Sequence, residues 1–219
     1  MVVSVVSPVQ AQIPPSLPPR ALSRHMPNSP SDAQRALIDQ IQGVGPLKFG
    51  VTPESLGKDA LIPAQDVEGA HSDQTSFFQY LKAKDITWGT LHPSAVELRF
   101  RYNQLLTIRL IFNETVGDLL VVRRALVEKY GPASGRSNIQ RTSSEGYSGP
   151  IWNTERIQLT IAFPEEPNLG ETIDFDKKTT AVVELIDQGL WMKQSKEKLE
   201  TAQKKMLEDH DLEKIKADL

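Results

Sequence analysis

Two stretches of alternating apolar and polar residues lie near the middle of the chain. Charged residues alternate with apolar ones through residues 96–102, and a second alternation follows in residues 105–112. A period of two is typical of a strand with one buried face and one solvated face. The pattern therefore predicts a β-hairpin, and the other predicted elements are arranged around it.

The register of this hairpin follows from matching the two apolar faces. A loop at residues 102–104 keeps the apolar residues of both strands on one side, whereas a loop one residue shorter would mix the faces. This register places Glu97 opposite Arg109 and Arg99 opposite Thr107. Opposite charges at facing positions stabilise a strand pair by a few tenths of a kcal/mol to about 1 kcal/mol.

A helical pattern follows the hairpin directly. Thr115 is a suitable N-cap, and Gly131 and Pro132 end the helix. Arg123 interrupts the apolar side, and two interpretations stay open: a side chain that extends to solvent, or a buried arginine held by a carboxylate in a ligand site. The predicted apolar side comprises Val116, Leu119, Leu120, Leu126, Val127 and Tyr130.

Shorter signals predict the remaining elements of an α+β fold, an antiparallel sheet packed by helices. Helices are predicted at residues 33–42 and 76–83, with one or two helical turns after Pro53. Strands are predicted at residues 46–50, 86–90, 151–153, 157–163 and 180–187. Residues 59–72 and 132–150 carry no regular pattern, and the second segment is either a surface hairpin loop or a lid that binds a partner.

The two ends of the chain differ from the α+β domain predicted at residues 33–187. Residues 1–11 resemble the end of a signal peptide, with cleavage after Ala11, and the Pro-rich residues 12–32 predict a disordered linker. Residues 188–219 predict a long charged helix, which either forms a coiled coil and self-associates or packs on its own domain. The apolar residues assigned to one side of that helix are Leu199, Met206, Leu212, Ile215 and Leu219.

Composition excludes several classes of function. The net charge is −3, and no strongly basic stretch occurs, which argues against nucleic acid as a partner. The chain contains no cysteine, so thiol catalysis and disulfides are excluded. No apolar run reaches the roughly 20 residues of a membrane-spanning helix, so no transmembrane segment is predicted.

No catalytic, metal or cofactor site is predicted. The four histidines are scattered, and neither an HExxH motif nor a GxSxG motif nor a glycine-rich phosphate loop occurs. Carboxylates such as Glu165 and Glu166 lie in turns, where nothing orients them as an acid–base pair.

Arginines on the polar face of the hairpin are the better candidates for binding. Arg99, Arg101 and Arg109 share that face, and Arg156 is a further candidate for it. The face would become a binding surface if Trp88, Tyr147 or Trp152 lay beside it, because arginine and aromatic residues dominate binding hot spots. The alternative is an ordinary solvated sheet face. Arg123 is the candidate for a separate pocket between the sheet and the central helix.

Coarsely, one unit of a helix and three strands occurs twice in residues 45–187. With the string Phe-Gly-Val-Thr-Pro-Glu-Ser-Leu at residues 49–56, Tyr130-Gly131-Pro132 after a helix and Trp152 in the next strand, the layout resembles two groups of small exported bacterial domains. These are the beta-lactamase-inhibitor-protein-like domains and the outer-membrane assembly lipoproteins, although the lipid-accepting cysteine of the lipoproteins is missing here.

The resemblance implies an exported domain, periplasmic or secreted, that binds another protein. The sequence thus favours a non-enzymatic protein-interaction domain. The alternatives are a domain that binds a small molecule or lipid fragment beside the central helix, a cytoplasmic location, and an enzyme whose carboxylates the sequence does not reveal.

Overall fold

The computed structural model describes residues 29–64, 74–140, 146–164 and 174–217. Eight strands form one antiparallel sheet in the order β3-β4-β5-β6-β10-β9-β8-β7, and β1 and β2 form a separate small pair. The strands of the large sheet are β3 (Leu61–Pro63), β4 (Thr75–Tyr80), β5 (Ala95–Arg101), β6 (Gln104–Thr115), β7 (Gly135–Gln140), β8 (Gly146–Asn153), β9 (Ile157–Ala162) and β10 (Lys178–Asp187). The small pair joins β1 (Gly43–Val44) to β2 (Leu47–Lys48).

Three α-helices accompany the sheet: α1 (Asp32–Asp39), α2 (Val116–Tyr130) and α3 (Gln188–Ala217). Each half of the sheet consists of four strands that follow one helix, β3–β6 after α1 and β7–β10 after α2. The two halves meet where β6 pairs with β10. The α+β class and the long C-terminal helix are confirmed.

The main core lies on one face of the sheet, called here the helix face. Its fully buried residues come from alternate positions of the central strands, such as Leu98, Ile108, Val183 and Leu159. α1 and α2 belong to this core through Ile38, Leu119, Leu126 and Tyr130, at the helical spacing expected for a buried side. Val127 is exposed, so its predicted place on the apolar side was wrong.

The caps of both helices follow the sequence signals. Ser31 and Gln34 form a reciprocal capping box at the start of α1. Thr115 caps α2 by accepting a hydrogen bond from the Asp118 N–H at 3.2 Å, as its sequence position predicted.

The central hairpin has the predicted register but a different turn. Glu97 pairs with Arg109 and Arg99 with Thr107, as predicted. The turn has only two residues, Tyr102 and Asn103, both with positive φ of 49° and 62°. An irregularity between Arg99 and Phe100 absorbs the difference of one residue, so a bulge rather than a longer loop keeps the apolar faces together.

Three local predictions were wrong. Residues 76–83 were expected to be a helix but supply β4, because β-favouring aromatic residues occupy a place between two paired strands. Residues 86–90 were expected to be a strand but form only a single bridge, between Trp88 and Leu91. A 3-10 turn at Ala83–Asp85 precedes them. Much of the expected loop 132–150 is the β7–β8 hairpin, of which residues 141–145 lie outside the described part.

The predicted signal peptide at residues 1–11 and most of the predicted linker at residues 12–32 lie outside the described residues. Among the helices that are described, none is both long enough and apolar enough to cross a membrane.

Candidate functional site

The face of the sheet opposite α1 and α2 carries the predicted arginines, and is called here the arginine face. Because facing residues of neighbouring strands share a face, one row across four strands reads Glu97, Arg109, Glu184 and Thr160. The Arg109 Nε donates to Glu184 Oε2 at 2.6 Å, and Arg109 Nη1 lies 4.0 Å from Glu97 Oε2. Arg109 is therefore held between two carboxylates of its own sheet.

A second row on this face contains Arg99 and Thr107. Arg99 is partly buried, and this burial lowers the pKa of its guanidinium. The nearby charge of Arg109 lowers the pKa further. The Arg99 guanidinium carbon lies 5.6 Å from the centre of the Phe77 ring, and its Nε has no hydrogen-bond partner. The Thr107 hydroxyl is also buried without a partner.

A third row on this face is apolar and closes the charged cluster on one side. Ile111 and Val182 face each other, and Val182 faces Ala162 on the next strand. These three residues form a second hydrophobic cluster with Ile139 and Tyr147 of the β7–β8 hairpin. The hairpin that was expected to be a loop thus contributes to a small core on the arginine face.

Arg101 holds the beginning of α3 against the sheet. Its Nη1 donates to the Ser195 hydroxyl at 3.1 Å, and its guanidinium carbon lies 5.6 Å from the Trp191 ring centre and 5.2 Å from that of Tyr102. Its carbonyl oxygen accepts a hydrogen bond at 3.0 Å from Gln194. The arginine face therefore has two roles: Arg109 links neighbouring strands, and Arg101 holds α3 in position.

The first two turns of α3 are fixed from the strand side as well. Asp187 ends β10 and accepts the Leu190 N–H at 2.8 Å, which is the hydrogen bond of an N-cap. The Gln194 side chain is only 5% exposed and also donates to Gln104 Oε1 at 3.0 Å. Farther along the described part of α3, the Lys198 Nζ donates to Gln74 Oε1 at 3.0 Å.

From Met192 onward, α3 carries a stripe of exposed apolar residues. All side chains from residue 196 to residue 208 are exposed. Met192, Leu199 and Met206 follow each other at intervals of seven residues, and their side chains are 58%, 59% and 72% exposed. These three residues are called here the outer stripe. At about 100° per residue they lie within about 40° of one another around the helix.

The side of α3 that faces the domain is polar. Gln194, Lys198, Thr201 and Lys205 line a wedge-shaped cleft of about 830 Å³ between the helix and the β5–β6 turn. At about 100° per residue, Thr201 stands about 160° from Leu199 around the helix axis. None of the outer-stripe residues lines this cleft. The predicted α3 residues beyond 208 have side chains outside the described part.

Two predicted site residues do not belong to the arginine face. Trp152 is fully buried in the core on the helix face, where its Nε1 donates to the Gly131 carbonyl at 2.8 Å. Arg123 is partly buried on α2. Trp152 is therefore a packing residue, and the structure brings together only Arg99, Arg101 and Arg109.

A second cleft lies beside α2 but does not involve Arg123. It has a volume of about 600 Å³ and lies between α1, α2 and the loop around Trp88. Its lining includes Leu37, Trp88 and Leu126. This groove differs in place from the pocket expected beside Arg123, because it lies between two helices and a loop.

Sequence reasoning missed the outer stripe and Trp191. The signal for the stripe was present, since Met192, Leu199 and Met206 are spaced by seven residues, but the prediction joined Leu199 and Met206 to Leu212 instead. Leu212 is six residues past Met206, which places it about 120° away around a helix. Nothing in the sequence near Trp191 indicates its stacking on Arg101, because the two residues are distant in the chain.

The described residues contain no group of three or more histidine or carboxylate side chains that could hold a metal ion. What the arrangement provides is a rigid sheet that carries a projecting helix, plus two clefts.

Comparison with known proteins does not assign the chain to a family. No family model matches the chain, and searches of curated proteins and of solved structures found no match either. The resemblance to beta-lactamase-inhibitor-protein-like and outer-membrane assembly lipoprotein-like domains stays a prediction.

Proposed function

We propose that this protein is a non-enzymatic interaction domain that binds another protein through the outer stripe of α3. The observation that carries the proposal is the exposure of Met192, Leu199 and Met206 on a helix that the sheet holds only by its first turns. Coiled coils pack through apolar residues at heptad positions a and d. The outer stripe would supply position a, and the small residues Ser195 and Ala202 would occupy position d. The stripe residues are exposed and lie outside the cleft, which leaves them free for a partner.

The charges beside the stripe indicate the chemistry of that partner. If the stripe residues occupy heptad position a, the flanking e and g positions of the described segment are Lys196, Lys198, Gln203 and Lys205. Lys198 and Lys205 flank the stripe on the side nearer the domain, where they also line the cleft. The glutamates Glu197, Glu200 and Glu208 occupy the remaining side of the helix, within i,i+4 pairs with lysines. The flanks are therefore cationic, and the fitting partner is a helix with acidic flanks.

A second copy of this chain fits the stripe less well. Pairing two α3 helices would bring lysine flanks together in either orientation, because no described flanking position is acidic. Like charges at these positions disfavour association. The predicted self-association is therefore the alternative that the experiment must exclude.

The experiment measures binding of two designed helical peptides to the full chain by fluorescence anisotropy. Both peptides carry leucine at positions a and d; one has glutamate and the other has lysine at every e and g position. We expect the glutamate peptide to bind and the lysine peptide not to bind. The substitution Leu199→Glu should weaken binding at least about tenfold, because it places a charge in the apolar contact.

Thr201→Glu is the matched control, because Thr201 lies on the cleft side of the same helical turn. Equal loss in both variants, or equal binding of both peptides, would contradict the proposal. Sedimentation of the full chain completes the test. A concentration-dependent dimer that Leu199→Glu abolishes would assign the stripe to a second copy.

Export is part of the same proposal and rests on residues 1–11, whose sequence resembles the end of a signal peptide. A periplasmic or secreted location would place the partner in the cell envelope or outside the cell.

A further inference from the structure

The groove between α1, α2 and the loop around Trp88 has an apolar floor that no element of the described chain covers. Leu126 is buried, and Ile41, Trp88 and Val122 are partly buried residues that pack against the main core. Leu37 of α1 forms the rim and is 41% exposed. The groove thus offers a continuous apolar surface that opens to solvent.

The charged residues of this groove all have the same sign. Lys48 of β2 and Lys129 of α2 line it, and none of its lining residues is aspartate or glutamate. The Lys129 Nζ lies 5.1 Å from the centre of the Tyr130 ring, so its ammonium stands beside an aromatic wall. An apolar floor with cations at the rim matches a ligand that has an apolar body and an anionic end.

The size of the groove favours a small molecule over a protein segment. Its volume of about 600 Å³ lies within the range of small-molecule sites, about 300–1,000 Å³. It is bounded by α1, α2, the β1–β2 pair and the loop at residues 87–89. We propose that it binds an amphipathic carboxylate of low molecular mass, such as a medium-chain fatty acid.

In this complex the acyl chain lies on Leu126, Val122 and Trp88, and the carboxylate lies at Lys129 and Lys48. Burial of the acyl methylenes favours binding, and the exposed ion pairs contribute little because water screens them. The chain therefore supplies most of the affinity, and the lysines determine the preference for an anion. The site is separate from the outer stripe, so either proposal can fail without the other.

The test uses three probes with the full chain: dodecanoate, dodecyltrimethylammonium and acetate. The two dodecyl probes are used below the concentrations at which they form micelles. Binding is followed by tryptophan fluorescence in a Trp191→Phe background, since Trp152 is fully buried and Trp88 lines the groove. We expect saturable binding of dodecanoate with a change in the Trp88 emission. The cationic probe and acetate should bind at least about tenfold more weakly.

Variants then locate the site. Ala125→Trp places a large ring in the groove from an exposed position of α2, so it should abolish binding and leave the fold intact. Combining Lys48→Gln with Lys129→Gln should weaken dodecanoate binding about tenfold and strengthen binding of the cationic probe, because the positive charges that repel it are removed. Lys193→Gln, on exposed α3, is the matched control and should change nothing.

Two outcomes would overturn the inference. Dodecanoate and dodecyltrimethylammonium binding equally well would show a non-specific detergent-like interaction. Undiminished dodecanoate binding in Ala125→Trp would place the ligand elsewhere. The Leu199→Glu variant should bind dodecanoate normally, which separates this result from failure of the α3 proposal.

Discussion

Trp152 joins the end of α2 to strand β8 through one buried hydrogen bond. Its indole N–H donates to the Gly131 carbonyl, the first residue past the helix. The C-terminal carbonyls of a helix lack partners within the helix, and a buried carbonyl without a donor is costly. One side chain therefore both fills the core and ends the helix.

Replacing Trp152 with phenylalanine should lower the free energy of unfolding by about 2–4 kcal/mol. The smaller ring leaves a void, and the Gly131 carbonyl loses its donor in a site that water does not reach. Urea unfolding followed by far-ultraviolet circular dichroism measures the change without relying on tryptophan emission.

Trp191→Phe is the comparison that tests the physical reason. Trp191 is 43% exposed, and its ring stacks on the Arg101 guanidinium at the surface of the domain. Its loss should cost less than about 1 kcal/mol. Equal losses for the two substitutions would mean that the buried hydrogen bond contributes nothing particular.

At the scale of elements, the β7–β8 hairpin shows that a sequence rich in polar residues can still form paired strands. Its residues are rich in serine and glycine, and these predict a loop, yet β8 pairs with β9 from Ile151 to Asn153 and again at Ser148. Gly149 lies between these contacts, and a Cβ there would stand 2.0 Å from the Ile161 carbonyl oxygen. The close approach of β8 to β9 requires a residue without a side chain.

Gly149→Ala should therefore destabilise the protein by at least about 2 kcal/mol, because the neighbouring atom is backbone and cannot turn aside. Gly146→Ala is the matched control, since a Cβ at Gly146 meets nothing within 4 Å. Thermal unfolding of both variants checks the difference. A normal melting temperature for Gly149→Ala would show that β8 can move away from β9 without loss.

These elements also show what sequence alone can establish. The register of β5 and β6 was predictable, because a one-residue shift would expose Leu98 and Ile108 and bury charged neighbours. The bulge between Arg99 and Phe100 could not be predicted. A bulge and a longer loop both keep the apolar residues of the two strands on one face. β4 was missed because Phe77 and Phe78 are adjacent, and its assignment depends on strands that are distant in the chain.

The candidate site was less predictable than the fold. Arg99, Arg101 and Arg109 were placed on one face correctly by their alternation, but their main contacts, Glu184 and Ser195, come from the end of the chain. No local pattern contains such pairings. The groove likewise combines α1, α2 and the loop around Trp88, so only the folded chain brings its apolar floor and its lysines together.

At the scale of the whole molecule, α3 connects the sheet to the proposed partner. The main anchoring contacts lie between Asp187 and Ser195, where the cap, Gln194 and Arg101 act together. Farther along, the helix relies on its exposed i,i+4 lysine–glutamate pairs, which contribute only about 0.3–0.5 kcal/mol each. The molecule is thus a stable sheet domain with a helix that is weakly stabilised along its outer half.

Ending the chain after Lys198 should therefore leave the stability of the sheet domain within about 0.5 kcal/mol of the full-length value, because the removed residues that are described have exposed side chains. The helical circular dichroism signal should fall, and the glutamate peptide should no longer bind, since Leu199 and Met206 are lost.

Gln194→Ala is the contrasting variant and should lower the free energy of unfolding by about 1–2 kcal/mol, because it removes two hydrogen bonds from a buried side chain. If the shortened chain instead unfolds at much lower urea concentration, the outer half of α3 packs on its own domain, and the stripe has an intramolecular role rather than a partner.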